Sequence, residues 1–122
     1  MQQINKVEIL GVVGAVSVRP CATNINAATF SVATNHTYKN HSGNIIVETT
    51  WHRVVSWDNV VKADLNSIKK GTWVHVKGRL RNVRYTDASG QERTTFEVYA
   101  NELEFVDPKV KKSSHEKETH PL

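Results

Sequence analysis

Residues 57–81 read Trp-Asp-Asn-Val-Val-Lys-Ala-Asp-Leu-Asn-Ser-Ile-Lys-Lys-Gly-Thr-Trp-Val-His-Val-Lys-Gly-Arg-Leu-Arg, and the hydrophobic period changes once within them. Before Gly71, Val61, Leu65 and Ile68 fall four and three residues apart, which places them on one face of a short helix. Asp58 stands where an N-cap would, since its carboxylate can accept from the backbone N–H groups that a first turn leaves unpaired. Lys69, Lys70 and Gly71 then end the helix, with cations at the negative pole and glycine just past the last turn. From Thr72 to Tyr85 the period is two, with Val74, Val76 and Leu80 on one face and Trp73, His75, Lys77, Arg79 and Arg81 on the other. A strand with one core face and one basic face is expected there.

The flanking sequence supplies further strands. Val7 to Val13 is β-branched and aliphatic, with Gly11 and Gly14 placed as a bulge or bend would place them. Thr29 to Thr34 alternates at period two after a turn expected at Arg19-Pro20. Asn40-His41-Ser42-Gly43-Asn44 is a run of turn formers that folds the chain back into a long strand, Ile45 to Trp57. Asp87-Ala88-Ser89-Gly90 makes a second hairpin turn, and Thr94 to Val106 supplies the last strand. The order β-β-β-α-β-β is the connectivity of the OB-fold, so the expected class is all-β: a five-stranded Greek-key barrel with one short helix between strands 3 and 4. This domain is expected to span residues 1–106. Residues 107–122 offer almost nothing apolar to offset the entropy of ordering them, so a short disordered tail is expected.

With 122 residues, 39% of them hydrophobic, the chain can bury one core and no more. Sixteen Lys and Arg against twelve Asp and Glu leave a net charge of +4, which is compatible with nucleic acid, an acidic partner or neither. The single cysteine, Cys21, excludes an internal disulfide framework and a multi-cysteine zinc site, and the histidines show no metal-ligand spacing, so neither metal nor cofactor is expected. The longest apolar stretch, Ile9 to Val18, is broken by Gly11, Gly14 and Ser17 and falls short of the ~18 residues a spanning helix needs. The first residues do not read as a secretory signal, and a cytoplasmic protein is expected. Asp58, Asp64, Asp87 and Glu92 show no convergent spacing for a divalent metal, and Cys21 has no identifiable base, so an enzyme is not expected.

The aromatic residues interleave with the basic ones. An exposed single strand of nucleic acid presents flat bases and charged phosphates, and a binder needs exposed rings beside Lys or Arg. Tyr38 precedes Lys39 at the mouth of the first hairpin; Trp51 and Trp57 share a face with Arg53 between them; Tyr85 follows Arg79, Arg81 and Arg84 and faces Arg93 across the second hairpin. Polar neighbours on the same face favour exposure of these four rings. Phe30, Phe96 and Phe105 sit in apolar alternation and are expected in the core, while Trp73 fits either reading.

Glu48-Thr49-Thr50-Trp51-His52-Arg53-Val54-Val55 resembles the central strand of bacterial single-stranded DNA-binding proteins, where a Thr-x-Trp-His-Arg-Val-Val signature is typical. Asn5-Lys6-Val7, Phe30 to Asn35, Lys70-Gly71, Gly78-Arg79-Leu80-Arg81 and Tyr85-Thr86-Asp87-x-x-Gly90 are similar to that family in order and spacing, so the resemblance covers residues 5–106. It implies base stacking at Tyr38, Trp51, Trp57 and Tyr85, two of which are Tyr where the family often has Trp. It also implies a homotetramer with His52 at a subunit interface, and sequence-independent binding of single-stranded DNA in replication, recombination and repair. Lys39, Arg53, Arg79, Arg81, Arg84 and Arg93 are the expected phosphate contacts. An accessory OB-fold protein of replication restart, acting mainly through protein contacts, is the second reading, and the full set of rings argues against it. Family members usually end in a glycine- and proline-rich linker and an acidic tip with a terminal Pro-Phe that recruits repair proteins. Here the chain reads Glu118-Thr119-His120-Pro121-Leu122 instead, and recruitment by that route is not expected.

Overall fold

A computed structural model of the chain describes residues 1–108. The expected tail therefore lies, apart from Asp107 and Pro108, outside the described residues. Strands β1 (Val7–Ala22), β2 (Ile25–Lys39), β3 (Ile45–Trp57), β4 (Trp73–Thr86) and β5 (Glu92–Phe105) close into a barrel in the order β1-β2-β3-β5-β4. Every neighbouring pair is antiparallel except β3 and β5, which meet in parallel at Val54↔Val98 and Val55↔Tyr99. This is the expected OB-fold order, and closure leaves few ladder groups for an intruding strand.

Alternation fills the interior. Ile9 and Val13 from β1, Phe30 and Val32 from β2, Val54 from β3, Val74 and Val76 from β4, and Val98, Ala100 and Leu103 from β5 form one buried cluster. Two glycines fit β1 into this frame. A Cβ on Gly11 would sit 2.2 Å from the Ala33 carbonyl oxygen, so only glycine permits that approach of β1 to β2. At Gly14 the β1–β2 register shifts between Val13 and Val16, the irregularity the glycines predict. Before β1 begins, the Asn5 side-chain amide donates to the Leu80 carbonyl at 2.8 Å and accepts from its N–H at 3.0 Å, extending the β1–β4 ladder with a side chain in place of backbone.

Four expectations change in detail. The helix between β3 and β4 is a single 3₁₀ turn, Leu65–Ser67, and its cap is Asp64 rather than Asp58. Asp64 accepts from the Asn66 N–H and the Ser67 hydroxyl, while Asp58 accepts from the Asn26 N–H at 3.1 Å and ties the end of β3 to the start of β2. Asp64, Asn66 and Ser67 offer the backbone local partners that compete with a regular helix, and a helix this short is marginal in any case. The spacing nevertheless identifies the buried residues, because Val61, Leu65 and Ile68 all join the core.

Second, Arg19-Pro20 is not a turn. β1 continues to Ala22, and the chain reverses at Thr23-Asn24, where Asn24 takes a φ of 59°. β1 pairs with β4 only from Val7 to Val12, so around Pro20 its second edge has no strand beside it and a missing N–H costs no ladder bond there.

Third and fourth, Leu80 and two of the three phenylalanines are not core residues. Phe30 is buried, but Phe96 is 57%, Leu80 44% and Phe105 40% exposed. Their parity is right and their position along the strand is not. The β4–β5 hairpin runs on to Thr86↔Glu92, past the last β1 partner at Gly78, so Leu80 and Phe96 have no neighbouring strand to cover them. Leu65→Ala should therefore lower the unfolding free energy by about 2–5 kcal/mol in urea titration, and Phe96→Ala by no more than roughly 0.5 kcal/mol. Equal losses at the two positions would contradict this placement of the core.

Candidate nucleic-acid interface

On β3, Val54 turns into the barrel while Trp51, Arg53, Val55 and Trp57 alternate onto its outer face. Their partners across the β2 ladder are small: Ala33 opposite Trp51, Ser31 opposite Arg53 and Ala27 opposite Trp57. Small neighbours let large rings lie down on the sheet. Trp51 does so, reaching across β2 onto the β1 bulge, where a Cβ on Gly14 would come within 2.4 Å of its ring atom Cζ3. Gly14 has no positive φ, so its backbone would accept any residue, and the ring is what excludes a side chain. The Ala15 N–H released by the bulge is satisfied by the Ser31 hydroxyl at 3.0 Å. Trp51 stays 59% exposed, and a groove of about 390 Å³ opens beside it, bordered by Ser17, Arg19, Thr29, Ser31 and Arg53.

A second group of rings lies farther along β3, about 20 Å from the first at the rise of an extended strand. Trp57 meets Tyr99 of β5 edge to face, with centroids 4.9 Å apart and planes at 78°. Arg79 and Arg81 of β4 place their guanidinium carbons 5.4 and 5.3 Å from the Tyr99 centroid. The sequence reading misses Tyr99, although its parity, opposite to Val98 and Ala100, already assigns it to the outer face. Tyr38 and Tyr85 stand on the two hairpins at 41% and 50% exposure; Tyr38 stacks beside His36, and Tyr85 faces Arg93 in register.

The six expected phosphate contacts divide into two sets. Lys39, Arg79 and Arg81 form no ion pair among the described residues. Arg84 pairs with Glu92 at 3.1 Å, and Arg93 with Asp87 at 2.8 Å. The Asp87 carboxylate accepts from Arg93, the Ser89 hydroxyl and the turn N–H groups of Gln91 and Ser89, which holds its pKa down at about 2. These two surface pairs are weak enough to exchange partners. Arg53 is different, because it pairs at 2.5 Å with Glu97, whose side chain is only 10% exposed. Removing Arg53 would leave that carboxylate buried without a counter-ion.

His52 has the opposite parity to Trp51 and Trp57. It is half-buried, its Nε2 lies 2.8 Å from the Thr34 hydroxyl, and burial lowers its pKa below the ordinary value. Trp73, at 37% exposure, lies outside both ring groups, on the part of β4 where His75 contacts Glu8 at 2.5 Å and Glu104 at 3.7 Å. No group of three or more His, Cys, Asp or Glu side chains is arranged to hold a metal among the described residues.

Gly14→Ala tests the seat of Trp51. The added methyl needs about 1 Å more room than the ring leaves, so the Trp51 indole N–H resonance should shift while those of Trp57 and Trp73 hold. Stability should fall by roughly 1–3 kcal/mol from overpacking. An unmoved Trp51 resonance would contradict the contact.

The profile of the single-strand binding protein family matches residues 4–106. The chain is 34% identical over 111 residues to single-stranded DNA-binding protein 1 of Xylella fastidiosa, covering 89% of this chain and 82% of that one. It is 30% identical over 104 residues to the single-stranded DNA-binding protein of Neisseria meningitidis serogroup A, covering 84% of this chain and 60% of the relative. Among solved structures, a Plasmodium falciparum SSB in complex with ssDNA superposes with a TM-score of 0.73 at 24% identity, covering 88% of this chain and 98% of that one. A deletion mutant of the single-stranded DNA binding protein from Thermus aquaticus gives 0.68 at 19%, covering 85% and 51%. These two share the barrel. With the family profile spanning nearly all described strands, the chain belongs to the single-strand binding protein family.

Proposed function

We propose that this protein binds single-stranded DNA without reading its sequence, shielding exposed strands during replication, recombination and repair, and that it carries out no catalysis. The observation that carries this reading is the outer face of β3, β5 and β4, where Trp51 and Trp57 are backed by small residues and Arg79 and Arg81 gather near Trp57 with no ion-pair partner among the described residues. A duplex hides its base faces in the stack, so flat exposed rings have little to hold there. A single strand offers every base as a π-face, whatever its identity. Relatives named as single-stranded DNA-binding proteins support the same ligand. The accessory reading, in which protein contacts dominate, calls for a poor ring set, and this chain has four exposed or half-exposed rings at the expected positions.

Tyr38, Trp51, Trp57 and Tyr85 act as base platforms. Lys39, Arg79 and Arg81 meet phosphates directly, while Arg84 and Arg93 do so by exchanging their carboxylate partners. Arg53 supports the face through Glu97. The proposal includes a homotetramer with His52 near a subunit contact and a place in the cytoplasm with the nucleoid.

Titration of oligo(dT) at several salt concentrations separates rings from charges. Trp51→Ala or Trp57→Ala should each cost on the order of 1–3 kcal/mol of binding with the salt slope kept, whereas Arg79→Gln should flatten the slope of log affinity against log salt by roughly 0.7. A folded Trp51→Ala protein that binds as tightly as wild type defeats stacking at that position. For the assembly, sedimentation equilibrium should give four times the chain mass at micromolar concentration. A stable monomer there contradicts the tetramer.

A further inference from the structure

Tyr99 is the ring that the binding account above leaves without a role, and its surroundings are unusual. Two arginines from β4 gather on this single ring, 5.4 and 5.3 Å from its centroid, although like charges repel. Glu97, the residue opposite Arg81 in register, does not neutralise them, because its carboxylate is committed to Arg53. The electron-rich Tyr99 ring attracts both guanidiniums, and the same ring meets Trp57 edge to face. A ring engaged by two guanidiniums and by the Trp57 indole has little free surface for a base. Tyr99 is therefore a support, and the recognition surfaces are the groups around it.

We infer that Trp57, Tyr99, Arg79 and Arg81 form a one-nucleotide subsite in which a base stacks on Trp57 and its phosphate enters between the two guanidiniums that Tyr99 gathers. The inference rests on the single-stranded DNA reading and deepens it. A phosphate placed there relieves the repulsion between Arg79 and Arg81 and finds both already positioned, which removes part of the entropy loss of ordering two long side chains. The Trp57 ring centre lies 4.9 Å and the two guanidinium carbons 5.4 and 5.3 Å from the Tyr99 centroid, so base platform and phosphate fork are no more than about 10 Å apart at the side chains, within reach of one nucleotide.

The signature is a ring substitution that changes an electrostatic quantity. Tyr99→Leu removes no charge, yet it frees both arginines, so it should flatten the salt slope for oligo(dT) by an amount approaching that of the Arg79→Gln/Arg81→Gln double variant, about 1.4. Affinity at moderate salt should fall roughly tenfold. Tyr99→Phe, which keeps the ring, should bind as wild type. A Tyr99→Leu protein with an unchanged slope overturns the subsite, whatever its affinity.

Should Tyr99→Leu fail to fold, NMR of the wild-type arginine Nε–H groups decides the matter. Both should be shifted by the ring current and should move together on titration with d(TpT), but not with its uncharged methylphosphonate analogue. Absence of that paired movement overturns the inference. If wild-type protein does not bind oligo(dT) at all, the binding reading itself falls. If it binds while the slope and NMR tests fail, only the subsite does.

Discussion

Among the described residues the β3–β5 ladder pairs Val54↔Val98 and Val55↔Tyr99 only, and the barrel closes through that short parallel seam. Its inner side is apolar, with Val54 fully buried and Val98 nearly so. Its outer side carries Val55 and Tyr99, and beside it Arg53 of β3 holds Glu97 of β5. A parallel contact of two pairs has few hydrogen bonds of its own. An ion pair with a buried carboxylate and a packed ring across the same joint supply the register that the ladder cannot, and losing Arg53 would strand the Glu97 charge at the joint.

The same seam makes the proposed binding face. Because β5 lies between β3 and β4, Tyr99 brings Trp57 and the Arg79–Arg81 pair together, although they are more than twenty residues apart in sequence. The β1 bulge does comparable work at the other end, where the absence of a side chain at Gly14 lets Trp51 lie across β2. Structural and functional demands therefore coincide. Arg53 illustrates this: it lies among the rings on the outer face, yet its charge is already matched from within the fold.

Much of this was legible in the sequence. Period-two alternation at Val74 and Val76, and the turn formers at Asn40 to Asn44, located strands and hairpins, and the polar surroundings of Trp51 and Tyr85 placed those rings outside. What escaped depends on contacts between distant segments. Alternation assigns Phe96 and Leu80 to the inward side correctly, but it carries no information on where the neighbouring strands stop. The spacing of Val61, Leu65 and Ile68 identifies a buried face without showing that one 3₁₀ turn suffices to bury it. Likewise the pairing of Arg53 with Glu97, and the gathering of Arg79 and Arg81 on Tyr99, follow from strand order and not from local composition.

The central claim is that single-stranded DNA lies along the outer face of β3, β5 and β4. Ultraviolet cross-linking of the full chain to oligo(dT), with the adducts mapped by mass spectrometry, tests it most directly, since a covalent bond forms only where a base touches a side chain. The account predicts adducts at Trp51 and Trp57, with further ones at Tyr38 and Tyr85, and none at the buried Phe30. Adducts concentrated instead at Trp73 and Phe105, outside both ring groups, would contradict it.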